Sequence, residues 1–309
     1  MHRRSLIAAT LLMVLSAACG QGANPAGAPS APATTTTDPT ASGTASPSPA
    51  ATPDASSSPT VDSVDPSGDP TGATQVTTYY VRSGPTDFFV EPVTVDLEQP
   101  TKAVARAAYT AAVEQDPADP GLTRVVPDGT RLLDVTISDG LLTVDLSGAL
   151  LATSGGSAEE LALRNQLAET GLQFDTVEAV RLLVDGQPVT DLWGHLDWSE
   201  PFVAEEFAVS PIVVTAPRWD ATVAGPDVTL EGSANTFEAT LELVLTDADG
   251  LILDETFTTA TCGTGCRGTW THTFTGLEPG RHSVVLRAPD PSGGEGPEPF
   301  TTEVTFTVQ

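Results

Sequence analysis

Leu132-Leu133-Asp134-Val135-Thr136-Ile137-Ser138-Asp139-Gly140-Leu141-Leu142-Thr143-Val144-Asp145-Leu146 decides how the first folded region is read. Leu133, Val135 and Ile137 alternate with polar residues, and Leu142, Val144 and Leu146 do so again. Asp139-Gly140 suits a two-residue turn in which both positions need positive φ, so the stretch predicts a β-hairpin with one buried face.

Upstream, Val76 to Val81 and Phe88 to Val95 read as strands, rich in Val, Thr, Tyr and Phe and parted by Ser83-Gly84-Pro85. Lys102 to Glu114 places Val104, Ala108, Ala111 and Ala112 at helical spacing. Downstream, Ser157-Ala158-Glu159-Glu160 predicts a helix start with a capping box, and Leu163, Leu167, Thr170 and Phe174 share one helical face. Thr176 to Val184 closes the pattern as a strand. The order β-β-α-β-β-α-β predicts an α+β domain over residues 76–199, with helices on one face of a mostly antiparallel sheet.

After a linker at 200–210 the pattern changes to strands alone. Seven runs, beginning at Ile212 and ending at Val308, are separated by turns such as Ala224-Gly225-Pro226, Asp247-Ala248-Asp249-Gly250 and Pro279-Gly280. Seven alternating strands in about 100 residues predict an all-β immunoglobulin-like sandwich over 211–309.

The amino-terminal quarter has a different chemistry. Arg3-Arg4, an apolar run from Leu6 to Leu15 and the small residues Ser16-Ala17-Ala18 form the three parts of a secretory signal, residues 1–18. The apolar run is shorter than the about 20 residues a helix needs to cross a bilayer. Cys19 directly after the small residues resembles the bacterial lipobox, with Leu15 one position further from the cysteine than usual; this implies a lipidated Cys19 anchoring the chain to the cell membrane on its extracytoplasmic face. Residues 20–75 lack aromatics, Leu, Ile, Lys and Arg, so the segment 19–75 is expected to be a disordered stalk, spanning roughly 40 Å or more. Its Ser/Thr/Pro clusters are candidate O-glycosylation sites.

The formal charge of −28, from 13 basic and 41 acidic residues, argues against nucleic acid as a partner, since phosphate binding needs a basic stripe. Arg greatly outnumbers Lys, and with the Ala, Gly, Pro and Asp excess this is the usage of a high-GC, actinobacterial-type genome.

Several motifs carry a family resemblance. Pro127-Asp128-Gly129-Thr130, Val144-Asp145-Leu146-Ser147, Leu163-Arg164-Asn165-Gln166-Leu167 with Thr170, and Val180-Arg181-Leu182-Leu183-Val184-Asp185-Gly186 together resemble the GerMN (sporulation and spore germination) domain. Gln115-Asp116-Pro117 stands where that family commonly places Gly-Pro after its first helix. Gly232-Ser233-Ala234, Phe237-Glu238-Ala239, Asp247 to Gly250 and Arg267-Gly268-Thr269-Trp270 resemble the immunoglobulin-like domain of bacterial spore germination proteins, which often follows GerMN in one chain. The resemblance implies a non-catalytic accessory module of envelope lipoproteins.

Candidate sites are few. Cys262 and Cys266 flank Gly263-Thr264-Gly265 and are expected to form a disulfide in an oxidising exterior, worth about 2 kcal/mol for so short a loop. A metal reading of the pair would need His272 or His282 to converge on it. Asp247 to Gly250 lacks the later ligands of a calcium loop and is expected to be a turn. Trp193, His195, Asp197 and Trp198 form a candidate ligand-binding cluster, weighed against packing at the interdomain junction. No nucleophile elbow, metal motif or phosphate loop is visible, and no cofactor, metal or catalytic residue is expected. The expected function is protein binding or scaffolding for an envelope partner; the alternative is envelope polysaccharide binding or glycan hydrolysis through the tryptophan and carboxylate groups near residue 195.

Overall fold

A computed structural model describes residues 72–309. The signal, Cys19 and the stalk up to residue 71 lie outside the described residues. The first strand begins at Ala73, so the last residues assigned to the stalk are already folded.

In the first domain β1 (Ala73–Ser83) and β2 (Phe88–Thr101) form a long antiparallel ribbon, and the short β3 (Leu122–Thr123) pairs with the other side of β1. Arg82 on β1 donates to Glu91 on β2 (2.6 Å) and to Asp119 in the turn that leads into β3 (2.7 Å). The helix α1 (Val104–Glu114) buries Ala108, Ala111 and Ala112. These small side chains let β1 come close enough for the Thr78 hydroxyl to donate to the Ala108 carbonyl (3.0 Å) and the Tyr80 hydroxyl to that of Ala111 (3.1 Å).

The predicted hairpin is present as β4 (Leu132–Ser138) and β5 (Leu141–Leu146), with Asp139 at φ 51° and Gly140 at φ 80°. Leu142, Val144 and Leu146 are fully buried, as their alternation predicts. The facing strand departs from expectation at one residue. Leu132 pairs with Leu146 and Asp134 with Asp145, so Leu133 is a bulge and is exposed, while Leu132 takes the inward position. The helix α2 (Ser157–Leu172) then returns the chain so that β6 (Ala179–Val184) lies parallel to β5, and β7 (Gln187–Pro188) turns back along β6.

The expectation of one sheet with helices on one face is corrected. β1 to β3 form one sheet and β4 to β7 another, and both helices contact both sheets. The parallel β5–β6 step is what a hairpin count overlooks. Leu163, Leu167 and Thr170 are buried as predicted, whereas Phe174 lies beyond the helix end, half-buried on the same core.

The second domain is a sandwich of eight strands: β8 (Ile212–Ala216), β9 (Ala221–Val223), β10 (Val228–Ala234), β11 (Thr240–Asp247), β12 (Ile252–Thr259), β13 (Gly268–Phe274), β14 (Gly280–Arg287) and β15 (Thr301–Val308). One sheet runs β13-β10-β8 and the other β12-β11-β14-β15-β9. The strand beyond the expected seven is β9, three residues that pair in parallel with β15 and leave too short an alternation to read. Leu230, Leu241, Leu243, Val284, Leu286 and Phe306 fill the core, with Trp270 beside them. At Gly232 a Cβ would strike the Val213 carbonyl and the Trp270 ring, so only glycine lets the indole lie against that strand.

Residues 200–210 are not a free tether. Phe202 belongs to the first core and exchanges backbone bonds with Val180 (2.9 and 2.8 Å). Further on, Val90 donates to Ala208 (2.9 Å) and accepts from Ser210 (3.0 Å), so the connection runs as a parallel bridge on β2. Phe89 meets Phe300 edge-to-face at 5.4 Å and Arg218 pairs with Asp96 at 2.8 Å across the junction.

Candidate functional site

The cluster near residue 195 is organised by a residue the sequence assigned elsewhere. The predicted capping box paired Ser157 with Glu160. Instead Gly156 caps α2, and Glu159 accepts its N–H at 2.7 Å. That one-residue shift turns Glu160 inward, where it is completely buried. Its Oε1 accepts from the Trp198 indole (2.8 Å) and the Trp193 backbone (3.3 Å), and its Oε2 from the His195 backbone (3.0 Å). A carboxylate holding three N–H donors can be buried because the bonds replace its hydration.

The four candidate residues therefore share a loop and have separate environments. Trp198 is buried in the first domain's core, edge-to-face with Phe202 at 5.2 Å, and Arg164 lies over that phenyl ring at 5.3 Å. Trp193 is half-buried against Gly155. His195 and Asp197 are exposed, and Asp197 turns to Ser199, whose backbone donates at 2.9 Å. Bonds from the Ser199 side chain and backbone hold the Asp197 carboxyl below its ordinary pKa. The cluster packs within the first domain and not at the interdomain junction.

Cys262 and Cys266 are joined as a disulfide in the connection between β12 and β13, with Cα atoms 5.8 Å apart. The loop docks on the connection between β10 and β11: Thr264 donates to Thr236 (2.9 Å), Gly265 to the Asn235 side chain (3.0 Å), and Glu238 to the Thr264 hydroxyl (3.0 Å). This fixes the next residue, Arg267, which enters the sequence reading only as part of the motif Arg267-Gly268-Thr269-Trp270. Its guanidinium donates to the carbonyls of Ser210 (2.7 Å) and Val209 (3.1 Å) and to the Ser233 hydroxyl (3.2 Å). Burial pulls the Arg267 pKa down, with Glu169 opposing; burial pushes the Glu169 carboxyl up, with Arg267 opposing.

Asp247 closes a turn by accepting from the backbones of Asp249 (3.0 Å) and Leu251 (2.9 Å), with Gly250 at φ 80°. His282 Nε2 lies 2.9 Å from the Glu278 carbonyl, and the ring stacks on Phe306. Among the described residues no group of three or more His, Cys, Asp and Glu side chains is placed to hold a metal ion.

A cleft of about 690 Å³ opens between the β11–β12 and β13–β14 turns. Asp249, Leu253, Asp254, His272, Leu277 and Glu278 are among its walls. Burial lowers the His272 pKa, with Asp254 opposing. The adjoining stretch Leu251-Ile252-Leu253, with Phe257, is exposed. Three consecutive apolar residues at the start of a strand were the signal available in the sequence, because strict alternation would leave one of them out of place.

Residues 77–190 match the family model described as "Sporulation and spore germination", and residues 211–295 match that of the "Immunoglobulin-like domain of bacterial spore germination". Among solved structures, the tandem GerMN domains of the sporulation protein GerM from Bacillus subtilis align at 20% identity and TM-score 0.37, over 46% of this chain and 50% of that one. The chain thus spans half the length of that protein. A Clostridium perfringens protein described as a lipoprotein aligns at 21% identity and TM-score 0.33, over 45% and 93% of the two chains. The first GerMN domain of the Bacillus subtilis protein alone gives 17% and 0.33, over 45% and 98%. No curated protein matches the chain.

Proposed function

From a chain that carries a sporulation and spore germination domain followed by a germination-type immunoglobulin-like domain, we propose a non-catalytic envelope lipoprotein, held at the membrane through Cys19, that binds or scaffolds another envelope protein. The observation that carries this reading is the fate of the aromatic and acidic cluster. Of the two candidate indoles, Trp198 is buried and Trp193 is half-buried, and the nearest buried carboxylate, Glu160, has its oxygens taken by three N–H groups.

Two measurements test the reading. Proximity labelling from the intact lipoprotein in its own cells is expected to mark envelope proteins. The folded region 72–309, incubated with cell-wall glycan, is expected to release no product, with W193A and D197A variants behaving as the parent does. Glycan turnover that D197A abolishes without changing the melting temperature overturns the proposal in favour of hydrolysis.

A further inference from the structure

The nine exposed large apolar side chains among the described residues are not spread evenly. Four of them, Leu251, Ile252, Leu253 and Phe257, fall on or beside β12, and Phe257 is 67% exposed. β12 pairs only with β11 and ends its sheet. Two edges of the first domain's sheets are attended to. The β2 edge receives the 208–210 bridge, and the β4 edge has the Arg106 guanidinium on the Leu133 carbonyl at 3.2 Å. An open strand edge with apolar side chains is a template for another strand.

We propose that the β12 edge docks an extended, basic segment of an envelope protein, which adds to the five-stranded sheet as its next strand; this rests on the protein-binding reading above. The charge of the site selects the occupant. Asp254 and Glu255 lie at the middle of the strand, and Asp249, Asp254 and Glu278 border the cleft at its beginning. The cleft's arginine, Arg281, is already held by Asp220 (2.6 Å) and the Thr305 hydroxyl (3.0 Å), so these carboxylates face no free guanidinium there. A second copy of this chain, at −28, would bring the same acidic residues against them.

The strand also carries a bulge. Leu245 pairs with Asp254 and Thr246 with Ile252, leaving Leu253 unpaired and among the cleft walls. Leu245 is buried, so Asp254 opposite it stands on the sandwich side of the strand. A bulge and an inward charge discourage flat edge-to-edge pairing of identical molecules. They leave room for a segment that brings a Lys or Arg to the cleft and aliphatic side chains to Phe257 and Ile252.

The test uses the full-length lipoprotein in its own cells, with a photo-crosslinking amino acid at Phe257 or, as control, at Thr222 on the β9 edge. A polypeptide adduct confined to the 257 position is expected, and its crosslinked fragment should interleave Lys or Arg with aliphatic residues. A synthetic copy of that fragment should bind the purified protein, weaken at least about tenfold with Phe257→Asp or Asp254→Lys, and fail when its backbone is N-methylated at alternate residues. Both positions are exposed, and unchanged melting temperatures establish that the variants fold; if Asp254→Lys does not, Asp254→Asn supplies the same reading. An adduct with a second copy, with glycan or with lipid, no adduct above the control, or binding indifferent to N-methylation overturns the proposal. Envelope proteins still labelled in the Phe257→Asp variant would remove this edge as the dock and leave protein binding standing.

Discussion

The Glu160 loop in the first domain and the β12 edge in the second treat their side chains in opposite ways. Around Glu160, the Trp198 indole and the backbone of the 193–195 loop are gathered onto one buried carboxylate, while the His195 and Asp197 side chains stay outside. Along β12, side chains that a core would accept are left in water. A cluster of aromatic and acidic residues is therefore a poor guide to a site when one buried carboxylate can organise it. A hydrophobic run that breaks the strand period is a better one, because solvent exposure of four large apolar side chains has a cost that folding alone does not repay.

This contrast can be broken most forcefully at Glu160. Replacing it with Ala should strand three N–H donors, one of them a buried indole, and destabilise the first domain by about 4 kcal/mol, read as a large drop in the denaturant midpoint. Retention of parent stability would mean that the loop does not depend on the carboxylate. At the junction, Arg267→Ala leaves two carbonyls without their donor and should cost about 2 kcal/mol. The expected readout is faster proteolytic cleavage between residues 203 and 210, with each domain's own core intact.

A smaller effect separates the two partners at that junction. Glu169 has a folded pKa raised above its ordinary 4.5 by burial, so the folded state holds the proton more tightly than the unfolded one. Stability should therefore fall as pH rises from 4.5 through the raised value. Glu169→Gln should flatten that slope in denaturant titrations at successive pH values. The smallest effect is expected at the other pole of the comparison: Phe257→Ser should change stability by no more than about 0.5 kcal/mol, because the ring is mostly in water already. A much larger loss would show that β12 needs the phenyl group to fold, and the contrast would collapse.

Local physics made most of the fold legible. The Asp139-Gly140 turn, the buried Leu142, Val144 and Leu146, and the strand run from Ile212 to Val308 each follow from periods of two and turn chemistry within a few residues. The Cys262–Cys266 pairing followed from nearness in the chain. What escaped depends on partners distant in sequence. Leu133 fits the alternation and is displaced by a bulge set against Asp145 and Leu146. Glu160 fits a capping box, yet Glu159 fits it as well once Gly156 becomes the cap, and only the tertiary fold decides which carboxylate goes inside. Nothing local to Arg267 points to its acceptors, since the two carbonyls lie more than fifty residues earlier and the Ser233 hydroxyl 34 residues earlier. The second sheet of the first domain was missed for the same reason: the parallel neighbour of β5 arrives only after a whole helix.

The bridge between Val90 and Val209 has a consequence for how a partner is held. Because the connection is hydrogen-bonded to the first domain and clasped by Arg267 from the second, a surface on one domain sits at a set bearing from a surface on the other. A partner that touches both engages the second almost without searching for it, and its overall grip then varies with the hold at the hinge as much as with either face.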